Sequence, residues 1–447
     1  MANSGIKNLT EGRIFRQLAG QAVPVMATGF IQMAYTLTDM GWLGHLGSRE
    51  MAAVGAMGII LWFVDSLALL PKMGAEIGVA QSIGLRDVER AKQVASHTVS
   101  IGLLMGVATT IMLLVFARPV ISLFNLETEL NIMASEYLKI CCLSLPAMFL
   151  IFTFSGIYNG TGNTSTPFYF MTIGLVCNMV LDPLFIFGFG LHTRGAAIAT
   201  VISQLLVVAL FIIKIKKKDG ILERFPFFVR LRRNYTEAII RLGLPVAAMN
   251  CLFSLINFYM ARIASICGGH LGVMSQTTGS QIEGITWNSA SGFSTALGTF
   301  SAQNHAAGKN ERAVKAYKYT LILLLTLGFA VSCAFLFAGK PVFSLFVVEE
   351  KAQLAGADYL FYMGFSQMFM MLEIGTAGIW NGFGRTSPPA VVSIAFNLLR
   401  IPLALWLTQH YGIDGVWLAI VISSVFKGTV SAVWWQVVWR KKYKASA

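Results

Sequence analysis

Ala117-Arg-Pro-Val-Ile-Ser-Leu-Phe124 returns later in the chain as Gly339-Lys-Pro-Val-Phe-Ser-Leu-Phe346, an offset of 222 residues. The same offset carries Gly156-Ile-Tyr-Asn-Gly-Thr-Gly-Asn-Thr-Ser-Thr-Pro167 onto Gly378-Ile-Trp-Asn-Gly-Phe-Gly-Arg-Thr-Ser-Pro-Pro389. It also carries Ala80-Gln81 and Glu89-Arg90 onto Ala302-Gln303 and Glu311-Arg312, while Asn178 and Pro183 meet Asn397 and Pro402 at an offset of 219. A long fixed period marks a duplicated unit, so the 447 residues divide into two like halves.

What each half is made of follows from composition. Hydrophobic residues are 55% of the chain and charged residues 12%, against about 25% charged in a soluble domain. Apolar stretches such as 101–117, 196–215, 321–338 and 415–438 recur along the whole length, each near the ~20 residues that a bilayer requires. Breaking the chain at its charged and Gly/Pro punctuation predicts twelve helical spans: 17–43, 51–80, 94–117, 134–158, 167–188, 195–215, 238–266, 277–304, 316–338, 353–381, 390–408 and 415–438. The expectation is therefore an all-α integral membrane protein of two six-helix bundles. Its lobes are 1–216 and 235–447, joined by a basic linker, 217–234. Six spans per repeat give both halves the same orientation, a parallel repeat around a central cavity that rocking opens to either side.

The net charge of +13 does not point to nucleic acid, because the basic residues sit in short loops and form no continuous stripe. With the termini inside, most of the 34 Lys and Arg fall in cytoplasmic segments, among them Lys214, Lys216, Lys217, Lys218, Arg230, Arg232 and Arg233. This asymmetry predicts a multi-pass plasma-membrane protein with both termini cytoplasmic. No signal peptide is expected before the first span. The six cysteines show no metal-ligand spacing and read as packing residues. The six histidines lie near span ends without catalytic spacing, so no enzyme chemistry and no cofactor are expected.

A charge in the hydrocarbon costs about 2.5–3.5 kcal/mol on insertion scales, so acids inside spans are functional candidates. Asp39 precedes Gly47, and Asp182 precedes Gly190, by the same number of residues on two outward-running helices, which sets both at one depth. Asn178 is one turn before Asp182, Thr200 reaches the same level from the sixth helix, and Tyr137 approaches from the fourth. Two carboxylates with amide and hydroxyl oxygens form a hard ligand set for a monovalent cation such as Na+, and crowding in a dry pocket equally suits the pair to trap H+. At the repeat positions the second half has Met260 or Ala261 and Ile401 instead, so the acidic pair belongs to the first lobe. Pro24 in the first helix permits a bend, and Pro245 matches it in the seventh.

Other intramembrane residues divide between packing and function. Asp65, Lys72 and Glu76 can pair along one face of the second helix. Glu283 and Glu373 are placed to attract a cationic substrate, with Met370 and Trp380 as apolar and aromatic surface; ordinary packing, or an Arg400–Glu373 salt bridge, is the plainer alternative.

These residues resemble the multidrug and toxic compound extrusion (MATE) family from Gly12 to Lys442. Thr38-Asp-Met-Gly-Trp-Leu-Gly44, Asn178-Met-Val-Leu-Asp-Pro183, Gly195-Ala-Ala-Ile-Ala-Thr200 and both Gln-containing loops carry the likeness. The resemblance implies a V-shaped antiporter that expels organic cations or amphipathic compounds against inward H+ or Na+. It implies a cation site at Asp39, Asn178, Asp182 and Thr200, with Tyr35 and Tyr137 nearby and Pro24 as the bending proline. The chain is nearer the DinF-like branch: a branch with a second-lobe sodium site would carry acids near Phe253 and Met370, and both are missing. A monomer in the lipid bilayer is expected, with a small organic molecule as its partner. A lipid-linked saccharide flippase of the same superfamily is the alternative, and a membrane-embedded channel or enzyme a more distant one.

Overall fold

Where no water can satisfy backbone N–H and C=O groups, an apolar chain closes its hydrogen bonds internally as helix. The computed structural model describes residues 6–122, 128–217, 222, 225–347 and 349–442, and every regular element among them is helical. Lys218 of the linker and Leu123–Phe124 of the repeat motif lie outside these residues. The first half holds α1 (Ile14–Leu46), α2 (Ser48–Gly84), α3 (Val88–Ser122), α4 (Thr128–Gly160), α5 (Ser165–Pro183) and α6 (His192–Lys216). The second holds α7 (Arg233–Ala306), α8 (Asn310–Ser344), α9 (Glu350–Gly364), α10 (Gln367–Gly382), α11 (Ser387–Tyr411) and α12 (Asp414–Lys442).

The duplication is written into the helix ends. Shifted by 222, the bounds of α3 become those of α8, the start of α4 becomes that of α9, and the end of α4 becomes that of α10. Gly47, between α1 and α2, becomes Gly269, where α7 turns sharply at φ 57°, ψ −145° and divides into two helices. That backbone conformation is closed to residues with a Cβ.

Eleven of the twelve expected spans fall on continuous helix, the end of the fifth, 184–188, as a π turn. Nine of the described helices are long and apolar enough to cross a membrane, the 74-residue α7 counting once. The tenth expected span, 353–381, is not continuous: it breaks at Phe365–Ser366 into α9 and α10. There Ser366 Oγ and Gln367 Nε2 both donate to the carbonyl of Met363, at 3.0 and 3.4 Å, and such local side-chain bonds compete with helix propagation.

Two compact units result. The first comprises Met1–Leu9 and Ala27–Ala247, the second Thr10–Met26 and Ala248–Ala447. The leading parts of α1 and α7 are thus exchanged, and each boundary falls two residues after a proline, Pro24 or Pro245. Inside the first unit, Phe149, Cys142, Leu138 and Ala197 form one core, and Phe154, Tyr158 and Phe211 another. In the second, Tyr359, Leu360, Met363 and Trp417 pack together. Large apolar side chains such as Phe337, 86% exposed, face outward, the pattern of a lipid-facing surface.

Candidate functional site

Asp182 sits at the end of α5, and the chain behaves unusually just beyond it. Pro183 offers no N–H, and Leu184–Gly188 widens into one π-helical turn closed by Phe189 N–H to Leu184 O at 2.9 Å. Such bulges relieve a broken hydrogen-bond ladder and accompany functional positions. The α5 face beneath it is buried at Met171, Gly174, Asn178 and Asp182.

Within this unit Asp39 of α1 meets Asp182 and Asn178 of α5 and Thr200 of α6. Asn178 Nδ2 donates to Asp182 Oδ1 at 3.1 Å. Thr200 Oγ1 lies 3.0 Å from the Ala196 carbonyl, which accepts from it. Tyr35 bonds Ser203 and lies in the field of both acids, and Tyr137, bonded to Cys141, faces both as well. The structure therefore gathers all six residues that the sequence singles out for this site.

Asn178 and Asp182 are fully buried, and among the described residues no ion pair is formed by Asp39 or Asp182. Asp39 Oδ1, Asn178 Oδ1 and Asp182 Oδ2 are buried oxygens with no hydrogen-bond donor. Buried acceptors are ordinarily satisfied, so three orphans at one place fit a missing positive charge. Two carboxylates, an amide oxygen and a hydroxyl suit a hard cation or a proton. No group of three or more His, Cys, Asp or Glu gathers among the described residues.

The sequence reading missed Ser203 and Gly174. Ser203 is one turn beyond Thr200 on the same face and its hydroxyl is held by the Thr200 carbonyl at 2.9 Å, so helical spacing alone could have found it. A Cβ on Gly174 would come 2.5 Å from Val207 Cγ2 and 2.9 Å from Tyr35 Oη. That glycine admits both the α6 packing and the tyrosine, a need visible only in three dimensions.

The second unit is built differently at the matching place. Tyr359, which the 222 offset matches to Tyr137, donates to Glu283 Oε2 at 2.7 Å, and Gln367 Nε2 donates to Glu283 Oε1 at 2.8 Å. Lys427, not Arg400, forms the ion pair with Glu373, at 2.9 Å, and also reaches Asn397 at 3.4 Å. Arg400 instead donates to Ser423 and Ser424 at 2.7 and 3.0 Å and lies over the Phe253 ring at 5.9 Å. A fixed cation from the protein thus stands against Glu373, while two neutral donors hold Glu283. Trp380 is enclosed by Trp434, Trp435 and its own helix, and Met370 packs beside Met371 and Leu324.

On α2 the expected pairing does not form. Lys72 lies over the Phe152 ring at 5.5 Å, and Glu76 accepts from Asn159 Nδ2 at 3.4 Å. Both acid and base thereby make their direct contacts to α4, the helix packed against α2.

Helical lobes built by duplication, apolar outer faces and a one-sided buried acidic site define a multi-pass membrane transporter. The MatE family model matches twice, over residues 24–184 and 245–406, once per repeat. The chain is 26% identical over 425 residues to the probable multidrug resistance protein NorM of Thermotoga maritima, covering 93% of this chain and 91% of that one. It is 26% identical over 428 residues to the FAD transporter of Shewanella oneidensis, covering 94% of each. Among solved structures, a MATE crystallised in complex with MaL6 superposes with a TM-score of 0.91 at 23% identity, covering 98% of both chains. The chain belongs to the MatE family of transporters.

Proposed function

We propose that this transporter is an antiporter that exports amphipathic organic compounds against an inward flow of H+ or Na+, by alternating access. The observation that carries the coupling half of this reading is the trio of donor-less buried oxygens on Asp39, Asn178 and Asp182. A cation or proton bound there relieves two crowded carboxylates and ties α1 to α5 and α6. Its release leaves like charges facing each other, an arrangement that disfavours the same packing. Pro24, beside the point where α1 changes units, is the proposed hinge.

The multidrug resistance protein named above supports an amphipathic organic cargo. For the second lobe, Glu283, Glu373 and Met370 remain the proposed substrate contacts, each reached by exchanging an internal partner; Trp380, fully enclosed, serves packing. The FAD transporter among the relatives favours a second reading, a flavin dinucleotide cargo. Both termini are proposed to be cytoplasmic, on the distribution of Lys and Arg.

Proteoliposome counterflow tests these together. Ethidium and FAD are offered as separate cargoes under separately imposed H+ and Na+ gradients. Gradient-driven movement of ethidium is the expected result, movement of FAD alone selects the second reading, and no response to either gradient rejects coupled transport.

A further inference from the structure

Gln81 and Arg90, repeated in the second half as Gln303 and Arg312, take no part in the acidic site. They line a cleft of about 390 Å3 in the first unit, between α2, α3 and the leading part of α7, together with Gly78, Asn234, Tyr235 and Ile239. No Asp or Glu is among its lining residues. Of the nearby acids, Asp87 Oδ1 caps the Arg90 backbone N–H at 2.8 Å, Glu89 pairs with Lys92 at 2.7 Å, and Glu237 pairs with Arg233 at 3.7 Å. Among the described residues, the Arg90 guanidinium meets no acceptor and no ring, and the side-chain amides of Gln81 and Asn234 have no hydrogen-bond partner.

The second unit shows the same frame filled. At the offset of 222, Phe300 stands where the first unit has Gly78. The Arg312 guanidinium lies over that ring at 5.2 Å and donates to Gly12 O at 2.8 Å and Gln17 Oε1 at 3.0 Å. The residues that match Gly12 and Gln17 are Asn234 and Ile239, so the side-chain acceptor is replaced by an aliphatic chain and the ring by a glycine. The first lobe has the arginine without the ring and the glutamine that hold it in the second. Beside Gly78 the ring's place is taken by Val94, which matches Ala316 and would lie 2.9 Å, at Cγ1, from a Cβ on that glycine.

We propose that this cleft binds a phosphate group, gripped by the Arg90 guanidinium and by N–H and O–H donors from Gln81, Asn234 and Tyr235. A planar guanidinium presents two parallel N–H groups to phosphate oxygens, and amides and a phenol complete a donor set free of competing carboxylates. The group has two possible sources. One is the headgroup of an anionic phospholipid, whose chains would lie along the exposed Ile240 and Leu244 of α7, in the manner of basic pockets between membrane helices. The other is a free phosphate from water.

The test uses the full-length protein in phosphatidylcholine nanodiscs, with dioleoylphosphatidylglycerol added in one arm and inorganic phosphate titrated in the other. Thermal unfolding midpoints and native mass spectrometry report binding in the wild type, in Arg90→Gln and in Gly78→Phe, which rebuilds the ring of the second lobe. Binding is expected to weaken about tenfold or more in Arg90→Gln and to vanish in Gly78→Phe. Stabilisation by phosphatidylglycerol alone identifies the lipid as source; stabilisation by inorganic phosphate that also displaces the lipid identifies a soluble one. Because Arg90 is exposed, Arg90→Gln keeps the test decisive should Gly78→Phe not fold. No response to either probe, or equal binding by wild type and Arg90→Gln, overturns the proposal.

Discussion

Asn178 donates to Asp182 across one turn of α5, Nδ2 to Oδ1 at 3.1 Å, and so fixes which end of its own amide is left over. The nitrogen is spent on the carboxylate and the oxygen stays buried without a donor. The amide thus orients one acid while adding a third oxygen to those of Asp39 and Asp182.

If that oxygen set holds the driving ion, Asp39→Asn and Asp182→Asn each lower gradient-driven export about tenfold or more. Correct insertion is verified first, and export is measured in proteoliposomes. A wild-type rate in either variant refutes the coupling site.

Gly174→Val drives methyl groups toward the space of Val207 and the Tyr35 hydroxyl. The expected result is a loss of coupling shared with Tyr35→Phe, on top of a lower unfolding temperature that Tyr35→Phe does not show. Retained wild-type coupling in Gly174→Val removes Tyr35 from the site.

Lys427→Met strips the largely buried Glu373 carboxylate, 13% exposed, of its ion-pair partner. Breaking a buried pair from one side costs about 3–5 kcal/mol, whereas removing both charges is far milder. Thermal unfolding of Lys427→Met and of Lys427→Met/Glu373→Gln checks this, and equal losses in the two would show that the pair is not what stabilises this region.

Gly269 holds a φ of 57° and a ψ of −145° at the turn within α7, so Gly269→Ala is expected to cost about 1–3 kcal/mol. Gly284, in the helix that follows, has open space where a Cβ would stand, and Gly284→Ala should not destabilise. Matched unfolding curves for the two variants would contradict the strain argument.

The duplicated motifs and apolar spans suffice to read the helical spans and to set Asp39 and Asp182 near one depth, since Gly47 closes α1 and Gly190 follows the π turn that extends α5. Three things escaped for physical reasons. The break at Phe365–Ser366 interrupts an apolar stretch with side-chain hydrogen bonds that hydropathy does not register. Proximity in sequence offers Arg400 as a partner for Glu373, but Lys427, from α12, forms that pair. The register of α11 was read from Pro402, at offset 219, whereas the starts of α5 and α11 and the closing Gly190 and Gly412 agree at 222. By the latter frame Arg400, not Asn397, stands opposite Asn178, so the second lobe puts a fixed cation where the first leaves oxygens free.

The exchange of leading segments bears on how the protein is made. Residues 10–26 are synthesised first, yet the unit they complete, through Arg312 on Gly12 and Gln17 and through Gly292 against Met26, is synthesised last. Residues 233–247, conversely, finish the first unit only after the linker has emerged. Neither lobe reaches its final packing from its own half of the message, so a nascent chain halted at the linker holds two unfinished bundles' worth of surface for the insertion machinery to shelter. Gene halves cut at residue 217 would each be expected to need the other in the same membrane, and only cuts at 9, 26 and 247 together would part the chain along its units.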